Sequence, residues 1–358
     1  MPTFPFRLAA RAALLGGATL AAAATARAQA TERHTLRGDA AVYNLAGTVR
    51  VVAGTGRDVV VEVARQGPDA AKLRVEQGEV RGRDAVRVVF PDDDVVYPAM
   101  GRGSRVRTRV NRDGTFGDGN GGFFSGGQVE VRSSGRGTEA WADVTVSVPA
   151  GARLAVHLVA GEATVSNVDG ELSIDVHQAS VSTERTRGRL DVDAGSGRVR
   201  IAGAQGDVNL DLGSGPVELR DVNAGDLRVD AGSGDLTGAN VTARLVDLDL
   251  GSGGTRLGRV TTRDLKVDAG SGSVDIDFAS DVDDVRIDVG SGIVTLRVPP
   301  TLGAALDVDT GSGGIETEIP IEVTRRERDH LTGRIGDGKG RIEIDGGSGR
   351  VRLLKADR

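Results

Sequence analysis

A five-residue motif, Asp-x-Gly-Ser-Gly, returns down the chain at nearly constant spacing. Asp193-Ala194-Gly195-Ser196-Gly197 is followed by Asp211, Asp230, Asp249, Asp268, Asp288 and Asp309, each two residues ahead of its own Gly-Ser-Gly. Successive aspartates are 18, 19, 19, 19, 20 and 21 residues apart. One period near twenty identifies a chain of stacked units, each of which buries its apolar face only against its neighbours.

Alignment on the aspartate shows what each position does. Val192, Leu210, Val229, Leu248, Val267, Ile287 and Val308 stand one residue before it, and Ala194, Leu212, Ala231, Leu250, Ala269, Val289 and Thr310 one residue after. Apolar and polar residues thus alternate, the period of a strand with one buried face. The alternation resumes after each Gly-Ser-Gly, as in Val199/Ile201, Val217/Leu219 and Val274/Ile276, and a second turn follows at Gly170-Glu171, Gly188-Arg189, Gly206-Asp207 and Gly225-Asp226. A weaker apolar position at Ala204, Val222, Val241, Val260 and Val282 suggests a short third side.

Two all-β folds satisfy this pattern. One is a parallel β-helix, or β-solenoid, with ~19-residue coils joined by Gly-Ser-Gly turns and stacked at about 4.8 Å per rung. The other is an antiparallel β-meander in which each Gly-Ser-Gly is a hairpin loop. The helix is preferred: matched residue sizes at matched positions suit column stacking, and a lone meander would leave one face of a long sheet uncovered. The 53 glycines and only 3% aromatic residues suit a thin aliphatic core with many tight corners.

The pattern extends past the clean repeats. Asp175-Val176-His177-Gln178-Ala179 fits it with the glycines replaced, and His157 holds the aspartate position one period earlier. Asp345-Gly346-Gly347-Ser348-Gly349 repeats the motif after a gap of 36 residues, which would hold one widened rung plus a loop or a degenerate rung. The expected organisation is a cleaved signal peptide (1–30), an irregular N-terminal β segment (31–140) with a Gly/Arg-rich loop at 98–127, and regular solenoid repeats (141–358) continuous with that segment. Strands are expected at 47–51, 59–63, 85–90 and 141–148.

Residues 1–30 read as an export signal: Arg7 and Arg11, then the small apolar run Ala13–Ala24, then Ala28-Gln29-Ala30, with cleavage before Thr31. Gly16, Gly17 and Thr19 interrupt a run already short for a membrane anchor. The mature chain is therefore expected in the periplasm or outside the cell, with no transmembrane segment. Cysteine is absent, which excludes disulfides and a lipid-modified N-terminal cysteine. The net charge of −6, from 51 acids and 45 bases spread along the chain, gives no argument for nucleic acid.

Three stretches carry a family likeness: Tyr43-Asn44-Leu45-Ala46-Gly47-Thr48-Val49-Arg50-Val51, leading to the paired valines at Val59; Trp141-Ala142-Asp143-Val144-Thr145-Val146-Ser147-Val148-Pro149-Ala150-Gly151; and Leu331-Thr332-Gly333-Arg334-Ile335-Gly336-Asp337-Gly338 with a last Gly-Ser-Gly-x-Val. In these the chain resembles the bacterial family of exported, adhesin-like β-strand-repeat proteins, the domain of unknown function numbered 4097. The resemblance covers essentially the whole mature chain and implies an exported β-helix. It brings no established reaction and no catalytic or binding residue.

Residue chemistry points the same way. Asp193, Asp211, Asp230, Asp249, Asp268, Asp288 and Asp309, with Asp175 and Asp345, would line one edge of the stack, where carboxylates about 4.8 Å apart repel. Two compensations are conceivable. Each carboxylate could accept the backbone N–H groups of its Gly-Ser-Gly in an Asx turn, the preferred reading. Alternatively Ca²⁺ could bind between coils, making these aspartates metal ligands, although the repeat is not the nonapeptide calcium motif. A polysaccharide-active β-helix enzyme would need a carboxylate pair in distinct environments and sugar-stacking aromatics; regular acids, one Trp and two Tyr do not supply them. No catalytic residue is assigned, and a non-enzymatic role is expected. His157 and His177, placed one rung apart at the aspartate position, read as a surface pair rather than half a Zn²⁺ site. Arg102, Arg105, Arg107, Arg109 and Arg112 form the strongest basic patch, with Phe116, Phe123 and Phe124 beyond. They are the candidate contacts for an envelope polymer, lipid headgroups or another protein. The expected role is an adhesin-like structural or binding module of the cell envelope, with a calcium-stabilised binding module as alternative.

Overall fold

The computed structural model describes residues 31–117 and 126–356. The expected export signal, and Phe123 and Phe124, lie outside them. The described residues form thirty strands, two short 3₁₀ turns and no α-helix. Twenty-six strands belong to one large sheet and four to a second.

In the repeat region each strand pairs in parallel with the next strand but one. Leu190–Ser196 pairs with Val208–Ser214, and that strand with Asp226–Ser233. Val199–Ala202 pairs with Val217–Asn223, and that strand with Leu236–Thr242. The chain therefore builds two parallel ladders, here called walls one and two, each rising by one repeat per rung. Hairpin pairing between successive strands, as in the meander, is not what the register shows. The reason is the glycine motif itself. Strands run on through the first Gly and the Ser, with Ser196, Ser214, Ser233, Ser252, Ser271 and Ser291 paired in register. Only the second Gly turns the corner.

That corner needs glycine. Gly215, Gly234, Gly253 and Gly272 have φ of +122°, +121°, +123° and +131°, a region closed to side chains. A Cβ on any of them would also strike the backbone carbonyl of the equivalent glycine one coil away. Close coil stacking and the left-handed corner thus select the same residue.

Inward side chains form continuous columns. Val192, Leu210, Val229, Leu248, Val267 and Ile287 are each at most 2% exposed. The next inward column runs Ala194, Leu212, Ala231, Leu250, Ala269, Val289, so small and large residues alternate and interdigitate between coils. Truncating one such large side chain to Ala costs about 2–5 kcal/mol. The expected third side is the continuation of wall two past a left-handed residue. Val222, Val241 and Val260 are paired and buried there, just after Asp221, Asn240 and Arg259 at φ near +52° to +57°.

Both ends depart from simple winding. Ala40–Ala53 forms the coil beyond Ala152–Ser166, and its halves continue onto Arg83–Val89 and Trp141–Val148. Antiparallel strands then finish the edges: Val59–Gln66 and Thr31–Leu36 on one wall, Arg74–Val80 on the other. At the far end the last coil in sequence is not last in space. Gly340–Asp345 lies between Asp284–Ser291 and Ala304–Asp309, and Arg350–Lys355 lies between Ile293–Val298 and Ile315–Thr317. The 36-residue gap contains the hairpin Glu322–Arg326/His330–Ile335, whose second strand covers Ala304–Asp309 antiparallel. Such ends stop other chains from adding to an open parallel edge.

The second sheet orders Arg105–Asn111, Gly126–Arg132, Asp94–Val96 and Thr138–Glu139 as neighbours. It packs on the outside of the stack, forming a second core that includes Tyr43, Tyr97, Phe116, Val129, Val131 and Val159. Of the six Phe, Trp and Tyr side chains among the described residues, all but Phe278 gather there.

Candidate functional site

The parallel register stacks one residue per coil in a single column on the outer face of wall one. From the N-terminal end it reads Tyr43, His157, Asp175, Asp193, Asp211, Asp230, Asp249, Asp268, Asp288, Asp345, Asp309. Every aspartate singled out in the sequence is in it, and Asp345 stands between Asp288 and Asp309. Within the column, Asx turns form only at the end coils. Gly311 N–H donates to Asp309 at 2.9 Å, and Gly347 N–H to Asp345 at 3.1 Å. In the regular coils this expectation fails, because inter-coil ladders use the glycine N–H groups instead: Gly215 N–H and Gly234 N–H donate to Ser233 and Ser252 carbonyls, each at 3.2 Å.

Asp193, Asp211, Asp230, Asp249, Asp268 and Asp288 consequently make no hydrogen bond or ion pair among the described residues. Nearby bases are taken by other acids: Arg228 pairs with Asp226 at 2.7 Å, Lys266 with Asp247 at 3.7 Å and Arg286 with Asp284 at 3.1 Å. Burial, then the flanking Asp175 and Asp211, raise the pKa of Asp193 above the usual carboxylate value. Burial, then Asp345 and Asp268, do the same for Asp288. Wall two behaves oppositely. Glu218 lies 2.9 Å from both Arg200 and Arg220, which hold its pKa down. Of the column, Asp193, Asp211, Asp230 and Asp249 line a shallow groove of about 470 Å³ with Arg228 and Lys266. They are spread one per coil, and among the described residues no three His, Cys, Asp or Glu side chains converge to hold a metal ion.

The Arg-rich stretch is not one loop. Arg105–Asn111 is a strand, paired antiparallel with Gly126–Arg132. Its glycine-rich flanks hide a period-two pattern in which Val106 and Val110 turn towards the second core and Arg105, Arg107 and Arg109 outwards. Arg102 lies in the preceding turn and Arg112 in the following one, both exposed. Arg107 meets Glu130 at 2.5 Å. Arg102, Arg105, Arg109 and Arg112 have no ion-pair partner among the described residues.

Between the two charge arrays lies a cluster that sequence reasoning missed. His157 is buried and stacks on Tyr43 with centroids 4.3 Å apart and planes at 3°. Its Nδ1 lies 3.1 Å from Asp175 Oδ2. Phe116 sets its edge towards Tyr43, His157 and His177 at 5.8, 6.3 and 6.1 Å. The two histidines are not register partners: His157 pairs with Asp175, and His177 lies two residues further along. His157 is therefore buried rather than part of a surface pair. The available signal was the aspartate position itself, held by Tyr43 and His157 in the coils that the second sheet covers.

These features define an all-β repeat protein whose large parallel-laddered sheet carries an acid column unpaired from Asp193 to Asp288, with a row of arginines on its capping sheet of which Arg105 and Arg109 have no ion-pair partner among the described residues. The chain belongs to the family described as Toastrack DUF4097, whose model matches residues 142–354. No curated protein matches it. Among solved structures, a candidate cell adhesion protein from Clostridium sporogenes aligns over 91% of this chain and 99% of its own, at 11% identity and a TM-score of 0.23. A likeness at that level carries no argument. Among the described residues no helix is long and apolar enough to cross a membrane.

Proposed function

We propose that the protein is a non-enzymatic, exported, adhesin-like module of the cell envelope, wound as a right-handed β-solenoid that holds its capping sheet rigidly in front of a partner. The handedness follows from the general preference for right-handed crossovers between parallel strands. The observation that carries the functional reading is a pair of largely uncompensated charge arrays, Asp193 to Asp288 on the stack and Arg105 and Arg109 on the capping sheet, on a stiff frame. Unpaired charges repeated in register suit an extended ligand better than a small substrate. The regularity of the acids supports the non-enzymatic part of the reading, since acid–base catalysis uses carboxylates in contrasting environments.

The experiment is fractionation of cells producing a tagged chain, with N-terminal sequencing, followed by adsorption of the purified protein to isolated envelopes. The expected result is a mature chain starting at Thr31 outside the cytoplasm that adsorbs in a salt-sensitive manner. A cytoplasmic chain that keeps residues 1–30 refutes export, and absence of adsorption refutes the binding role.

A further inference from the structure

The Arg105–Asn111 strand is an edge strand: among the described residues its partner is Gly126–Arg132 alone. In an antiparallel pair, residues alternate between those whose N–H and C=O both face the partner and those whose groups both face away. Ser104 C=O accepts from Ser133 N–H at 3.0 Å, so Ser104, Val106, Thr108 and Val110 face the partner strand. Arg105, Arg107 and Arg109 then direct their main-chain groups to the open edge. Asn111, next in that series, agrees with this: its N–H donates to Thr115 O at 2.9 Å.

The same three residues put their guanidinium groups on the exposed face, repeating every ~6.8 Å along the strand. Arg105 and Arg109 are unpaired there, and Arg107 meets only Glu130 among the described residues. One short segment thus offers main-chain donors and acceptors and a row of cations, in register with each other.

We propose that this edge binds an extended acidic peptide segment by strand addition, with carboxylates at every second residue opposite Arg105, Arg107 and Arg109. Backbone hydrogen bonds supply affinity, and charge-assisted pairs at the directly opposed positions supply selectivity. A peptide is favoured over a lipid headgroup or an acidic polysaccharide because those ligands would engage the guanidinium groups and leave the open backbone groups unused. The arginines also keep two copies of this edge apart, since like charges repel in an identical pairing, while leaving it open to an acidic strand. This inference rests on reading the protein as an exported binding module.

The test is fluorescence anisotropy of a labelled peptide alternating Glu and Thr, titrated with the purified full chain. Comparison ligands are the same peptide N-methylated at every second amide in each of the two phases, the peptide with Lys for Glu, phosphatidylglycerol vesicles and polygalacturonate. Saturable binding of the Glu peptide is expected. It should weaken by about tenfold or more when the amides that face the strand are methylated, or in the Arg105→Glu/Arg109→Glu variant. That variant's circular dichroism and melting should match the parent. Equal binding of both methylated peptides overturns strand addition, as does no peptide binding or binding only to vesicles or polygalacturonate. If the peptide fails while the chain still adsorbs to isolated envelopes, this inference falls and the binding-module reading stands.

Discussion

The corner glycines make the sharpest claim about what holds the stack together, and Gly234→Ala tests it. Gly234 sits at φ +121°, and a Cβ built there would lie 2.7 Å from the carbonyl carbon of Gly215 and nearer still to its oxygen. Real Cβ contacts essentially never fall below 3.0 Å, and the obstruction is backbone, which cannot rotate away. The two coils must separate, stretching inter-coil bonds such as Gly215 N–H to Ser233 O, 3.2 Å long. Strain at a glycine-only conformation costs about 1–3 kcal/mol and overpacking about 1–3 kcal/mol, so a loss of about 3–5 kcal/mol is expected. Gly314→Ala is the control, because nothing lies within 4 Å of its Cβ position and its φ is ordinary. Urea unfolding gives the stability difference. Amide exchange should show the loss concentrated in the coils flanking residues 215–253, since stacked repeats interact with nearest neighbours. If Gly234→Ala and Gly314→Ala unfold within about 1 kcal/mol of each other, steric selection of glycine at this corner is wrong.

Three further outcomes are expected. The raised pKa of Asp193 means that its charge opposes folding at neutral pH, and that this cost is lifted as pH falls through the raised folded-state value towards the ordinary value of an exposed aspartate. Asp193→Asn should therefore be more stable than the parent at pH 7 by about 1 kcal/mol after solvent screening, with the gap closing under acid or high salt; denaturation across pH measures it. Calcium and magnesium at equal ionic strength should shift the melting temperature alike, because screening of the column needs no specific site; a calcium-specific shift removed by chelator would establish bound calcium. Deleting residues 340–358 should do far more harm than losing a terminal coil, since it empties a rung between Asp284–Ser291 and Ala304–Asp309. Size-exclusion chromatography should show aggregation through the two opened parallel edges, and a monodisperse, cooperatively melting product would refute the inserted-coil topology.

The two candidate sites were legible to different degrees. The aspartate column could be read at once, because a fixed period with parallel stacking puts equivalent residues together whatever the details of the corner. Its bonding could not, because whether the glycine N–H groups turn back to the carboxylate or pair with the next coil depends on how closely the coils approach. The arginine row reads from sequence as a basic patch on a loop, whereas Arg105–Asn111 is a strand. Arg105-Val106-Arg107-Thr108-Arg109-Val110 alternates well enough for a strand, but glycine-rich flanks and a charged outer face resemble a solvated segment until a partner strand is known.

Local chemistry alone determined the period of the repeat, the inward valine and leucine columns and the need for glycine at each corner, because these depend on residues within one coil and its nearest neighbour. Tertiary structure decided what depends on distant segments. It set the final coil between two earlier ones, laid a second sheet over the head of the acid column and stacked His157 against Tyr43. Those choices rest on which open edge and which apolar patch a segment far along the chain can cover, and no periodicity within the segment encodes that.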